Sequence, residues 1–165
     1  MSIFNIFRKK KKEETPKNPM AAHSSKSKDK KASRIGELGE YKIDIQLDQL
    51  PKEYKYLSDI IVPNPKAKSG YSQIDHVVIT PYGIFVIETK NYQGTIYGGE
   101  DRKTWLVNGK FKMMNPFIQN FGHIQALKPL ISRKFGEHFI SVVSFTKRCI
   151  LKVDGDFRKY LQIIY

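Results

Sequence analysis

Two short runs in the middle of the chain limit what it can become. Ile74 to Thr80 reads I-D-H-V-V-I-T, and Ile84 to Lys90 reads I-F-V-I-E-T-K. Both are rich in β-branched residues, and both are apolar at alternating and intervening positions alike in their middles. That pattern belongs to central strands covered on two sides rather than to a sheet with one wet face. Pro81-Tyr82-Gly83 between them has turn composition, so the pair reads as a hairpin. A chain of 165 residues has length for one domain with a real core and not for two.

Charges inside these strands need a reason. Glu88 and Lys90 are two apart on a strand and leave it on the same face. Asp75 interrupts the partner strand, and a tight turn places it opposite Glu88. Such groups cost several kcal/mol inside an apolar layer unless they are paired or bind an ion. Two adjacent carboxylates repel, and a divalent cation relieves the repulsion. Hard cations such as Mg²⁺ prefer oxygen ligands and keep several waters. An ammonium beside them can hold or activate a water, which completes the parts for metal-assisted phosphodiester hydrolysis. On spacing alone, the same residues also read as an ordinary strand-end salt bridge.

The other elements are read from local signals. Ser33 can cap a helix in which Ile35, Leu38 and Ile45 recur at helical spacing. Gly36 and Gly39 weaken that helix by about 1 kcal/mol each, which suggests a close approach to its backbone. Tyr56 to Val62 is a β-rich run. Thr104 to Val107 and Lys110 to Lys112 flank Asn108-Gly109, a preferred type I′ pair, and so predict a second hairpin with Trp105 in its packing. Asn115-Pro116 opens a helix predicted to reach Lys134, with Ile118, Phe121, Ile124 or Gln125, and Leu127 on its apolar face and Pro129 as a kink or an end. Strands follow at 139–145, 149–153 and 160–164. The apolar finish Leu161 to Tyr165 points to a truncated sequence or to an end buried in the sheet.

The formal net charge of +13 is unevenly spread. Residues 1–34 hold eleven Lys/Arg against three Asp/Glu, while the rest hold 18 against 13. Residues 1–33 therefore read as a disordered basic tail, and the domain as 34–165. A basic chain favours polyanions, nucleic acid above all. Phe4, Phe7 and the run Arg8 to Lys12 would allow a weak anionic-membrane contact through this tail. No stretch approaches the roughly 20 apolar residues that cross a bilayer. The single cysteine, Cys149, excludes an intrachain disulfide and a Cys-rich metal site, and fits a cytoplasmic location, peripheral to the inner membrane face if the tail engages lipid.

Several blocks appear in a fixed order. They are Gly36-Glu37-Leu38-Gly39-Glu40, Gln73-Ile74-Asp75-His76-Val77-Val78, Gly83 to Tyr92, Gly94, Trp105, and Asn115-Pro116-Phe117-x-Gln119-Asn120 with His123 and Leu127. Together they resemble the nuclease-related domain (NERD) family, a branch of the PD-(D/E)XK nuclease superfamily, over about 34–153. The resemblance implies an α/β, restriction-endonuclease-like core with a central mixed sheet flanked by helices. It implies cleavage of DNA with Mg²⁺ or Mn²⁺ held by Asp75, Glu88 and Glu40, with Lys90 near the attacking water and Gln119 beside the site. Glu37, one turn from Glu40, is the alternative helical acid. His123 shares a helix face with Gln119 and reads either as a phosphate contact or as a supporting histidine. His76 points away from Asp75 and reads as a hydrogen-bonded core residue. Two rival functions use the same fold: a non-catalytic nucleic-acid-binding module, and a membrane-proximal interaction module.

Overall fold

The two apolar runs form the centre of a five-stranded sheet in the computed structural model, which describes residues 34–131 and 138–155, and the backbone of 161–164. The basic tail at 1–33, its membrane contact and the Ser33 cap lie outside the described residues. A helix over 34–47 (α1) comes first. Then follow β1 (Lys55–Pro63), β2 (Tyr71–Thr80), β3 (Gly83–Lys90), β4 (Gly94–Gly99), β5 (Thr104–Val107) and β6 (Phe111–Met114). Helix α2 (Pro116–Leu127) leads to β7 (Phe139–Thr146), β8 (Cys149–Asp154) and β9 (Leu161–Ile164).

The first sheet has the order β1-β2-β3-β7-β9; β1, β2 and β3 are antiparallel, and β7 and β9 run parallel to β3. The hairpin register pairs Thr80 with Gly83 and His76 with Ile87. Because side chains alternate, the two faces take different partners. Val78 and Ile87 pack against Ile43 and Leu47 of α1, while Val77, Ile84 and Val86 pack against Ile124, Ala126 and Leu127 of α2. This is the mixed central sheet with a helix on each face that the sequence predicts.

A second sheet, order β6-β5-β4-β8, goes beyond that expectation. Its hairpin is the one predicted: Asn108 and Gly109 both have positive φ (53° and 66°), as a type I′ turn needs. Strand β4 escaped the sequence pattern because Gly94, Gly98 and Gly99 dilute it. Trp105 is fully buried, donates from Nε1 to Gly99 O (3.1 Å), and packs on Phe117 and Phe145, which joins this sheet to α2 and β7. A side chain on Gly98 would collide with the Trp105 ring. Gly98→Ala is therefore expected to destabilise by about 1–3 kcal/mol, the range for overpacking a core. Thermal melting checks this, and an unchanged midpoint would show that the indole has room to move.

Each helix departs from the face predicted for it, α2 only in part, since Ile124 and Leu127 are buried as expected. On α1, Leu38 (57%) and Ile45 (43%) are exposed, and the inward line is Gly39, Ile43 and Leu47. On α2, Ile118 (37%) and Phe121 (61%) are exposed, whereas Pro116, Asn120, His123, Ile124 and Leu127 are buried. Asn120 Nδ2 reaches Val86 O (2.8 Å), Ser141 Oγ (2.9 Å) and Val142 O (3.1 Å), bridging β3 and β7. A search for apolar residues alone misses a buried polar pin of this kind. The helix also ends earlier than predicted, at Leu127, and a 3₁₀ turn covers Lys128–Leu130. Pro129 lacks the N–H that would continue the ladder, so it acts as an end rather than a kink. The Asn115 cap and Pro116 at the first position are as predicted, with Asn115 Oδ1 accepting from Phe117 N (2.9 Å).

Among the described residues no helix is long and apolar enough to cross a membrane.

Candidate functional site

The hairpin register sets the site. His76 pairs with Ile87, so Asp75 comes next on β2 and Glu88 next on β3. The regular strand pairing stops there, and Asp75 Oδ2 accepts from Thr89 N (2.7 Å) instead. That bond fixes the carboxylate beside the outgoing β3. Glu88, only 2% exposed, is held through Oε1 by Lys90 Nζ (2.6 Å). The same ammonium donates to Gln119 Oε1 (3.1 Å) on α2. Three of the residues singled out from the sequence thus form one chain of contacts: Glu88, Lys90 and Gln119.

The other oxygen of Glu88 is unusual. Oε2 is buried without a hydrogen-bond partner and faces His123 Nδ1 at 3.7 Å, which is also buried and unpartnered. The separation is too long for a direct hydrogen bond. His123 thus stands on α2 beside Glu88, one turn beyond Gln119.

Glu40 approaches from α1. Gly39 lies against Asn91, where an added Cβ would sit 2.7 Å from Asn91 Cβ. The close approach expected from the two glycines is real at Gly39. At Gly36 the nearest atom is Glu40 Oε1 at 4.0 Å, so no such crowding exists there. Seating α1 on Asn91 brings Glu40 into the field of the strand carboxylates. Its pKa is pushed up to about 7, first by burial and then by the charges of Asp75, Asp59, Glu88 and Glu37. Glu37 is exposed on the same helix, whereas Glu40 is half-buried and within the field of Asp75 and Glu88.

The strand carboxylates are also strained electrostatically. Asp75 is raised to about 6, mainly by burial and next by Glu88, against the Thr89 N–H bond and the Lys90 and His76 charges. Burial raises Glu88 as well, and Lys90 opposes it. Burial lowers the pKa of His123, so the imidazole is kept neutral. Burial thus holds three carboxylates back from ionising, neighbouring carboxylates add to it at Asp75 and Glu40, and Lys90 opposes it at Asp75 and Glu88. An oxygen donor set with an orphaned buried carboxylate oxygen fits a hard divalent cation. Among the described residues no three His, Cys, Asp or Glu side chains are already closed around one point.

His76 lies on the opposite face, fully buried, with Nε2 3.1 Å from Asp44 Oδ1, in line with its reading as a core residue. Two further residues were not identified from the sequence. Asn91 donates from Nδ2 to Ile35 O (2.6 Å) and accepts at Oδ1 from Thr146 Oγ1 (2.8 Å), which ties α1 and β7 to the end of β3. Asp59 has φ 51° within β1, accepts from Gln73 Nε2 (2.6 Å) and adds to the field on Glu40. Asn91 follows the E-x-K run directly, and that adjacency was the available signal. Asp59 had none.

A family model described as a nuclease-related domain matches residues 35–146. An uncharacterized protein of Bacillus anthracis is 37% identical over 134 residues, spanning 79% of this chain. The chain covers 61% of that relative's length. No solved structure matches.

Proposed function

The chain belongs to the nuclease-related domain family, and on that premise we propose that it is a metal-dependent nuclease cleaving DNA phosphodiester bonds. Membership links it in general terms to nucleic acid. The observation that carries the finer reading is the crowding of Asp75, Glu88 and Glu40, whose pKa values burial raises, with the Lys90 ammonium seated on Glu88. Asp75, Glu88 and Glu40 would hold Mg²⁺ or Mn²⁺, and such an ion supplies Lewis acidity toward a phosphoryl oxygen. Lys90 has the mechanistic role of orienting the attacking water and offsetting charge that develops on the phosphate in the transition state. Gln119 and Glu88 fix its Nζ from two sides, so little reorganisation is needed when the charge appears. The Thr89 N–H bond fixes Asp75 in the same way.

The test is a metal titration of the full chain with labelled single- and double-stranded DNA. Cleavage should require Mg²⁺ or Mn²⁺, stop with chelator, and vanish in Glu88→Gln. Intact substrate under every cation condition would remove the reading. A second reading, nucleic-acid binding without turnover, draws on the absence of three converging metal-ligand side chains among the described residues. Strand binding that persists in Glu88→Gln while the parent cuts nothing would select it.

A further inference from the structure

A cleft of about 240 Å³ opens between α1 and the turn after β7. Lys42 and Gln46 stand on its helical wall, and Lys147 and Arg148 on the other. Ile43, Ile45 and the bare backbone of Gly39 supply its apolar surface. Among the described residues no acidic side chain lines it. Arg148 donates from Nη2 to Gln93 Oε1 (2.5 Å), a neutral acceptor that positions the guanidinium without cancelling its charge.

Its place in the fold matters as much as its charge. Strands β3 and β7 run parallel, with Lys90 opposite Phe145 at their carboxyl ends, and the cleft sits just beyond that end. Ligands of open α/β sheets gather at the carboxyl ends of the strands. Asn91 follows Lys90 and binds both walls, Ile35 O on α1 and Thr146 Oγ1 at the end of β7. Gly39 lies against the same Asn91 and also lines the cleft. The walls are therefore fixed with respect to Lys90 and to each other.

We propose that this cleft binds a phosphodiester of the nucleic-acid strand other than the one presented to Lys90, with Lys42, Lys147 and Arg148 on the phosphate and the sugar against Ile45. The inference rests on the nuclease reading for its occupant. Its physical basis is charge complementarity: a rim of three cations, with no carboxylate lining it among the described residues, matches a phosphate–sugar repeat. Phosphate contacts of this kind add affinity without sequence preference and weaken with salt.

The experiment is fluorescence anisotropy of the full chain with a labelled single-stranded oligonucleotide, in chelator, across a salt series. Wild type is compared with Lys42→Gln/Arg148→Gln and with Lys52→Gln/Lys55→Gln. The last pair removes the same charge at the opposite end of the sheet, where Lys55 pairs with Ile79. All four residues are exposed, and melting curves verify folding. The cleft pair is expected to lose affinity at least about tenfold at low salt and to reduce the slope of log K against log salt by about 1.4, or 0.7 per lost contact on a single strand. The control pair should change neither. Equal losses in both pairs, or none in the cleft pair, overturns the proposal. So does a free nucleoside monophosphate that displaces the strand at concentrations near the strand's own Kd, since the cleft would then be a site for the mononucleotide. Because binding is read without a cation, a failure of cleavage in the metal titration leaves this result standing on its own.

Discussion

Lys90→Ala is expected to abolish cleavage and to destabilise the fold in the same step. Lys90 Nζ donates to Glu88 Oε1 (2.6 Å) and to Gln119 Oε1 (3.1 Å), and Glu88 is 2% exposed. Removing one partner of a buried ion pair leaves an uncompensated charge, which costs about 3–5 kcal/mol. Burial already raises the Glu88 pKa, so part of that cost is avoided by protonation, and the loss belongs at the lower end of the range. Losing a positioned cation from the transition state lowers the rate by about 10²–10³. The two effects separate in the double variant Lys90→Ala/Glu88→Gln. Neutralising the stranded carboxylate should restore most of the melting temperature and none of the cleavage. If Lys90→Ala melts like wild type, Glu88 is not held by this pair; if it cuts like wild type, Lys90 is outside the chemistry.

The parts of this molecule that could be read from its sequence are those that local physics decides alone. The β2–β3 hairpin followed from composition and a short turn, and its register placed Asp75 beside Glu88. The Asn115-Pro116 start of α2 and the positive-φ pair at Asn108-Gly109 were equally local. What was missed depends on tertiary contact. Leu38 and Ile45 have the right period for a buried face, yet α1 turns Gly39, Ile43 and Leu47 inward because only a glycine can meet Asn91. Asn120 and His123 lie on the buried face of α2 because β3 and Glu88 provide their surroundings, and apolar periodicity has no means of finding that. Strand β4 needed Gly98 to make room for Trp105, and a strand built with three glycines has little propensity to reveal it. The same division runs through the site. Asp75, Glu88 and Lys90 are costly inside apolar strands and announce themselves, whereas Asn91 and Asp59 act through geometry set by other elements.

Asp75→Asn is expected to stabilise the protein at pH 8 while eliminating cleavage. In the unfolded chain Asp75 and Glu40 release their protons near 3.8 and 4.5; in the folded protein they keep them until about 6 and about 7. Between those limits the folded state binds more protons than the unfolded one, so these two groups make stability fall as pH rises from about 4 to about 7. For Asp75 the shift corresponds to about 3 kcal/mol at most, and Glu40, more open to solvent, adds a smaller, screened share. Asparagine removes the Asp75 charge while its carbonyl can still accept from Thr89 N. The variant should therefore gain about 1–3 kcal/mol over wild type at pH 8 and lose that advantage near pH 4, where the aspartate is already neutral in the fold. A cation that binds the ionised carboxylates works the other way, stabilising wild type in proportion to its occupancy. Mn²⁺ should raise the wild-type melting temperature at pH 8, have little effect at pH 5 where protons compete, and do nothing for Asp75→Asn. Melting curves at both pH values, with and without Mn²⁺, test both halves together. A variant less stable than wild type at pH 8 would mean that the carboxylate is satisfied by the fold alone, and an undiminished Mn²⁺ shift in the variant would place the cation elsewhere. The expected pattern, more stable and inactive, marks a site in which the fold retains an electrostatic penalty at Asp75 that a bound cation relieves.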